Sequence, residues 1–383
     1  MRFTRALTAI VAVAAAVWIA SPAPARAEGE WEITPQSEEA LARGLQWLAA
    51  NQGPKGNWGS ENLGLVSMGA LAFMSAGHMP GRGKYGDNVH RALDYVVRNE
   101  RPPGLLNCAI HQYDMYNHGL STFVLGQAYG MSNDARLSPL LDRALKLIID
   151  TQCEDGGWEY QAKRTAQGHD LSLVVMQAKA LRSAIDSGLD IPLPVIQAAI
   201  QAVRAYYAPE GCPYTADEAT QKKCKGQFSY GKGGGQKSLA MAAAGVVCLQ
   251  EFAQYDDWRI PKNMELITAE VRKALQHDKP NSRFPDQIDA YTLYYVGQAL
   301  YQVGGRDWRE CYPLLREGLV NCQIRKAPSP AQEGMFQGQS REGSPLYFQA
   351  VACFILAIPN RYLPILQEGK IESLRERLQQ KVK

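Results

Sequence analysis

Short polar stretches separate long apolar segments in this chain of 383 residues, and they hold the side chains that could do acid–base chemistry. His169 and Asp170 are adjacent in one stretch, and a histidine beside a carboxylate can exchange protons with a substrate. We predict this pair as catalytic. Residues from the same kind of stretch are expected to line a pocket around it: Asp114, Tyr116, Asn117, His118, Gln236, Lys237, Asp289, Tyr291 and Tyr347.

Structural roles compete with these functional ones. An aspartate at the start of an apolar helix is most often its N-cap, which is the stronger alternative for Asp170 and an equal one for Asp289. Between Asp114 and His118, a helix cap with core packing explains the residue types about as well as a hydrogen-bonding pocket does. Further aromatic and amide side chains occur in the same stretches: Trp58, Asn62, Tyr113, Trp158, Tyr160 and Tyr230.

We predict neither a metal nor a cofactor. The chain has no Cys-x-x-Cys pair, which argues against a zinc ribbon. The run from Gly231 to Ser238 resembles a phosphate-binding loop, but Gln236 replaces the last glycine and no strand is predicted ahead of it. An anion held by Lys232, Lys237 and a helix N-terminus is the better alternative.

Residues 1–27 have the pattern of an export signal. Arg2 and Arg5 precede an apolar run, and Ala25-Arg26-Ala27 has the small-x-small form of a cleavage site. We expect export to the periplasm or the medium with cleavage near Ala27; an uncleaved N-terminal anchor is the alternative. Cleavage would remove three arginines from a chain of formal charge +3 and leave the mature chain near neutral, so no nucleic-acid partner is predicted. No later segment is long and apolar enough to cross a bilayer, so no transmembrane span is predicted for the mature chain.

A pattern that joins a helix to an aromatic residue recurs along the first half of the chain. In residues 43–58 the helical part ends at Gln52, and Gly56 and Trp58 follow. Residues 143–158 repeat it in full, with Gln152, Gly156 and Trp158 in the same places, and residues 91–106 hold a degraded copy. Repetition at such intervals indicates a repeat architecture.

Periodicity predicts six pairs of helices. The first members carry charge on one face and are expected to lie outside: 37–52, 87–99, 138–152, 193–207, 262–276 and 307–322. The second members are almost uncharged, rich in small residues and expected to lie inside: 63–76, 115–130, 170–185, 236–252, 288–303 and 344–358. Such alternation predicts an all-α fold, a single (α/α)6 toroid over residues 28–366, with a charged C-terminal helix or tail over 367–383.

Eight cysteines in an exported chain could form disulfides. Cys212 and Cys224 bracket a polar loop and are the best candidate pair. Cys108 and Cys153 follow consecutive outer helices, so a second bridge between them is an open alternative.

The repeated pattern [Lys/Arg]-[Gly/Ala]-x2-[aromatic or aliphatic]-[aliphatic]-x3-Gln-x3-Gly-x-Trp resembles the QW motif of the squalene cyclase and prenyltransferase repeat family. That resemblance implies a toroid of the terpenoid cyclase type. The D-x-D-D acid of squalene cyclases is absent, since the corresponding position reads Gly168-His169-Asp170. The Asp-x-Cys zinc motif of protein prenyltransferases is reduced to Asp289-Ala290-Tyr291.

The resemblance implies a protein that binds or transforms a terpenoid-like lipid in its central cavity, and this is our first expectation. A non-catalytic scaffold for a protein partner is one alternative. A carbohydrate-active α/α toroid enzyme is the other, because Asp114, Asp170, Asp289 and Glu342 could supply the two carboxylates that glycoside hydrolysis requires. Whether the chain is an enzyme stays open.

Overall fold

The computed structural model describes residues 31–132, 134–276, 279–327, 329–340, 344–367, 374–376 and 378. The predicted export signal over 1–27 and most of the predicted tail over 367–383 lie outside these residues. Numbered in chain order, the outer helices are α1 (Pro35–Asn51), α3 (Gly86–Arg98), α5 (Ser138–Asp150), α7 (Leu193–Ala205), α10 (Arg259–Leu275) and α12 (Gly305–Cys322). The inner helices are α2 (Leu63–Ser75), α4 (Asp114–Ser132), α6 (Leu171–Asp186), α9 (Leu239–Glu251), α11 (Ala290–Val303) and α13 (Pro345–Ala357).

The six inner helices form a closed ring. Each contacts the next in chain order, and α13 returns to contact α2. Every residue of α2 is buried, as an inner layer covered on both sides requires. The outer helices pack against this ring. The predicted all-α (α/α)6 toroid is therefore confirmed.

Most inner helices begin with a side-chain N-cap. Asn62, Asp170, Ser238, Asp289 and Ser344 each accept a hydrogen bond from a backbone N–H in the first turn that follows. Because the inner helices start at the same end of the ring, these polar caps and the loops before them surround one mouth of the toroid.

The repeated glutamine and tryptophan fix the turn from outer to inner helix. The Trp58 indole N–H donates to the Leu48 carbonyl at 2.8 Å, and the Trp158 indole donates to Ile148 at the same distance. The Gln52 side-chain amide donates to Gly56 at 3.1 Å and to Asn88 of α3 at 2.9 Å. Each turn is thereby tied both to its own helix and to the next outer helix.

The same ties recur between successive repeats. Arg91 donates to the Gln52 side-chain oxygen at 2.8 Å, and Arg143 donates to Glu100 at 2.7 Å. At the end of the chain, Gln323 accepts from Arg43 at 2.9 Å and donates to the Ala40 carbonyl at 2.7 Å. This last set joins the sixth repeat to the first and closes the ring of outer helices.

A disulfide-bridged hairpin interrupts the helical pattern between α7 and α9. Strands β1 (Tyr207–Glu210) and β2 (Lys225–Phe228) pair antiparallel, with the short helix α8 (Glu218–Lys223) between them. The predicted bridge between Cys212 and Cys224 is confirmed, with Cα atoms 6.4 Å apart. β2 also precedes the glycine-rich run, contrary to the prediction that no strand does.

The alternative bridge between Cys108 and Cys153 is wrong, because both thiols are free. The Cys108 thiol donates to the Glu61 carbonyl at 2.9 Å, and the Cys153 thiol lies 3.2 Å from the Thr165 hydroxyl. Among the described helices, none combines the length and hydropathy that a membrane crossing requires.

Candidate functional site

A pocket of about 340 Å³ opens at the mouth where the inner helices begin. Tyrosines provide most of its aromatic surface: Tyr113, Tyr116, Tyr160, Tyr230, Tyr291 and Tyr347. Amides and one hydroxyl supply further polar groups: Asn62, Gln112, Asn117, Gln236 and Ser238. None of the described residues that line this tyrosine pocket carries a formal charge.

A buried carboxylate organises the hydroxyl groups on one wall of the tyrosine pocket. Asp170 is 0% exposed and caps α6 by accepting from the Leu173 N–H at 3.2 Å. It also accepts from the Tyr160 hydroxyl at 2.6 Å and from the Ser172 hydroxyl. The carboxylate therefore does not face the pocket itself and acts on it through these hydroxyls.

The direction of each hydrogen in this network follows from Asp170. Since Tyr160 donates to Asp170, the Tyr230 hydroxyl, which lies 2.5 Å from that of Tyr160, must be the donor in their hydrogen bond. By the same logic Ser172 donates to Asp170, and Tyr116 donates to Ser172. Tyr116 and Tyr230 therefore keep lone pairs for a ligand, so this wall of the pocket presents hydrogen-bond acceptors.

Tyr116 and Tyr160 stay protonated at neutral pH. Burial raises the pKa of Tyr116 well above its ordinary value, and the nearby charge of Asp170 raises it further. Burial, followed by the hydrogen bond to Asp170, likewise raises the pKa of Tyr160. These two phenols are consequently neutral groups at the pocket wall.

His169 and Asp170 do interact, but outside the pocket lining. The His169 Nδ1 atom lies 2.9 Å from the Asp170 carboxylate, and its side chain is about half exposed. Its ring is tilted against Tyr160, with ring centroids 4.4 Å apart. The two predicted catalytic side chains therefore contact each other in the folded protein, and Tyr160 connects them to the tyrosine pocket.

Several of the residues predicted to line the pocket have structural partners instead. His118 is fully buried, accepts from the Leu106 N–H at 3.1 Å and lies 3.0 Å from the Ala144 carbonyl. The Asp114 carboxylate accepts from the Asn107 amide at 2.7 Å. Asp289 caps α11 and accepts from the Thr292 N–H at 2.9 Å. None of these three predicted residues lines the pocket.

The glycine-rich run does not present free cations. Lys232 pairs with Asp155, and Lys237 pairs with Glu210 at 2.6 Å. Their charges are neutralised by carboxylates, which removes the basis for an anion site there, and Lys237 lies outside the pocket lining. Gln236 does line the pocket, and its carbonyl accepts from the Tyr230 N–H at 2.8 Å.

Five of the predicted pocket residues do line it: Tyr116, Asn117, Gln236, Tyr291 and Tyr347. Sequence reasoning left Tyr160 and Tyr230 out of the predicted lining, although both lie in the polar stretches considered. Met176 and Met241 line the pocket from within inner helices, where no sequence signal separates them from core residues. Among the described residues, no cluster of metal-ligating side chains forms.

Comparison with solved structures finds toroids of carbohydrate enzymes. An inactive variant of the GH76A α-1,6-mannanase of Salegentibacter sp. HEL1_6, in complex with α-1,6-mannotriose, matches with a TM-score of 0.56 and 11% identity over 86% of this chain and 100% of that one. The GH76A α-1,6-mannanase of the same organism matches with a TM-score of 0.54 and 9% identity, over the same shares of the two chains. A sugar epimerase from a ruminal bacterium matches with a TM-score of 0.54 and 12% identity over 84% of this chain and 97% of that one.

No protein-family model matches the chain, and no curated protein matches its sequence. At 9–12% identity the structural matches show a shared fold. They are mannanases and a sugar epimerase, so the assignment to the squalene cyclase and prenyltransferase repeat family is wrong. The expectation of a terpenoid-like lipid in the cavity rested on that family and is wrong with it.

Proposed function

We propose that this protein is a carbohydrate-active toroid protein that binds a saccharide unit in the tyrosine pocket. The observation that carries the proposal is the Asp170 network, which leaves Tyr116 and Tyr230 as acceptors on the pocket wall. A ligand with several hydroxyl donors complements such a wall. The described lining carries no formal charge, which favours a neutral ligand.

The aromatic surface fits the same class of ligand. Tyr116 and Tyr160 are stacked with ring centroids 5.7 Å apart, and both line the pocket. Ring faces of this kind pack against the apolar C–H faces of a sugar ring while the hydroxyls at the ring edge find polar partners. The volume of about 340 Å³ is near the lower limit of ligand pockets and suits a small saccharide or the end of a longer one.

Asp170 is a positioning residue in this proposal. Hydrolysis by the usual mechanism needs two carboxyl groups on opposite sides of the scissile bond. Of the four candidates, Asp114, Asp170 and Asp289 lie outside the pocket lining and accept hydrogen bonds from other groups of the protein, and Glu342 lies outside the described residues. The described residues therefore support saccharide binding, with export to meet an extracellular saccharide as part of the same proposal.

The proposal is tested by calorimetric titration of the mature protein with α-1,6-mannotriose and a panel of other neutral oligosaccharides. At least one should bind, and Tyr230→Phe should weaken it about tenfold, because a buried hydrogen bond to the ligand is lost. Tyr214→Phe is the matched control, since that tyrosine is exposed and lies away from the pocket. Chromatography of the titrated saccharide would reveal any cleavage. The proposal is refuted if no saccharide of the panel binds. It is also refuted if neither Tyr230→Phe nor Tyr116→Phe changes the affinity for a saccharide that binds.

A further inference from the structure

A second cavity, of about 880 Å³, opens at the opposite end of the toroid. It is lined by the carboxyl-terminal ends of α6, α9 and α11, whereas the tyrosine pocket lies at the amino-terminal starts of the same helices. Trp31, ahead of α1, and Arg361, after α13, complete its wall. The two sites therefore face opposite mouths.

Ionised side chains are buried beside this second cavity. Lys179 of α6 is 1% exposed and donates to Glu251 of α9 at 3.1 Å and to Gln298 of α11. One turn further along α6, Arg182 donates to Asp186 at 2.8 Å. Burying ion pairs costs desolvation energy that apolar packing would avoid. Such clusters beside a cavity are candidates for function.

Arg182 keeps donors for a ligand. Its side chain is 3% exposed and lines the cavity, and within the described residues its hydrogen bonds all run from Nε to the Asp186 carboxylate. The four N–H groups on its two terminal nitrogens are therefore available. Arg309, at the rim of the same cavity, has no ion pair with a described carboxylate.

The remaining charges of the cavity are already paired. Glu32 accepts from Arg361 at 3.2 Å and from the Trp308 indole, and Glu251 accepts from Lys179. With the neighbouring Lys179 and Asp186 included, four cations face three carboxylates, so the excess positive charge lies at Arg309, while Arg182, paired with Asp186 through Nε, contributes its terminal N–H donors. Trp31 and Tyr301 supply aromatic wall beside them.

We propose that this cavity is a second ligand site, which binds a small organic acid by pairing its carboxylate with Arg182 and packing its body against Trp31 and Tyr301. The guanidinium fork of Arg182 matches the two oxygens of a carboxylate. Arg309 adds a second cation at the entrance. This site does not depend on the saccharide proposed for the tyrosine pocket.

The test is calorimetric titration of the full mature protein with two matched pairs of probes, benzoate with benzamide and glucuronate with glucose. At least one acid should bind about tenfold more tightly than its uncharged partner. Arg182→Lys should weaken that binding about tenfold, because lysine cannot offer the paired donors, and Arg309→Gln should weaken it several-fold. Arg306→Gln is the control, since Arg306 is in the same helix, pairs with Glu310 and lies outside the cavity.

Thermal unfolding of each variant shows whether a substitution at buried Arg182 has disrupted the fold. Arg309 is exposed, so Arg309→Gln tests acid binding without that risk. Tyr230→Phe should leave acid binding unchanged, which separates this site from the tyrosine pocket. The inference is overturned if neither acid exceeds its uncharged partner. It is equally overturned if Arg182→Lys and Arg309→Gln both bind the acid as the wild type does.

Discussion

At the scale of single residues, Asp170 is the N-cap that the sequence offered as an alternative, and it also orients hydroxyl groups of the pocket wall, while its predicted catalytic role with His169 stays a prediction. One oxygen caps α6 through Leu173, and the other accepts from Tyr160 at 2.6 Å. A buried carboxylate with several donors is fully satisfied, so it can fix the hydroxyls around it without a further partner. Capping and site organisation are therefore not exclusive.

The buried imidazole of His118 predicts a dependence of stability on pH. Burial lowers its pKa from 6.5 to about 4 in the folded protein. The unfolded chain then binds more protons below pH 6.5, so the stabilisation is complete above 6.5 and is lost as the pH falls towards 4. Between pH 7 and pH 5 this one group should lower the free energy of unfolding by about 2 kcal/mol.

His118→Gln keeps a donor and an acceptor at this position but cannot take up the proton. We expect the variant to be less stable at pH 7 by roughly 1 kcal/mol, because its hydrogen bonds are less well placed. Urea unfolding at pH 7 and pH 5 should show a pH-dependent loss about 2 kcal/mol smaller than that of the wild type. Equal losses in the two proteins would contradict the assignment.

The sequence located the mouth of the site but not the direction of its side chains. Polar residues at the start of apolar helices can be recognised in the sequence alone, which is why Tyr116, Asn117 and Gln236 could be predicted as pocket-lining residues. Lys237 illustrates what could not be seen, because its partner Glu210 is 27 residues away and is brought close by the hairpin. Long-range pairing of this kind depends on the folded chain.

At the scale of elements, the periodicity of apolar residues placed all twelve toroid helices within a few residues, and the contrast between charged outer and uncharged inner helices assigned each to its layer. The hairpin of β1 and β2 was missed because each strand has only four residues. Strands that short carry too little alternation to be recognised. The disulfide between Cys212 and Cys224 was the remaining signal for that loop.

The turns between outer and inner helices predict a strong difference between two glycines of similar conformation. Gly156 has φ +84° and Gly188 has φ +82°, so alanine at either position carries a strain of about 1–2 kcal/mol. A Cβ atom at Gly156 would also overlap the Ala198 carbonyl of α7, whereas no atom lies within 4 Å of one at Gly188. Gly156→Ala should therefore cost at least twice as much as Gly188→Ala in the free energy of unfolding.

Urea unfolding of the two alanine variants beside the wild type measures this difference directly. Gly188→Ala serves as the control for backbone strain alone. Similar costs at the two positions would mean that the turn can move away from α7, and that the close approach is not a fixed part of the fold.

At the scale of the whole molecule, the repeated Gln-Gly-Trp pattern reports how helix pairs are joined. Its glutamine and arginine connect neighbouring repeats, as in the hydrogen bond from Arg91 to Gln52. That geometry is useful in a toroid whatever its cavity binds, so the pattern predicted the fold correctly and the family wrongly. Gln323 escaped recognition because its glycine partner, Gly334, follows eleven residues later instead of four.

Gln323 predicts the strength of the seam where the last repeat meets the first. Its amide donates to Ala40 and Gly334 and its oxygen accepts from Arg43, which reproduces the contacts of Gln52 with Asn88, Gly56 and Arg91. Leucine at either position removes the bonds and leaves partners unsatisfied that are buried at Gln323 and partly buried at Gln52, at about 2–4 kcal/mol. If the ring is closed in solution, Gln323→Leu and Gln52→Leu should lower the free energy of unfolding by similar amounts. Urea unfolding of both variants measures the two losses. If the seam is open, the Gln323 variant should be almost as stable as the wild type, while the Gln52 variant, which lies inside the ring, should still lose about 2–4 kcal/mol of unfolding free energy.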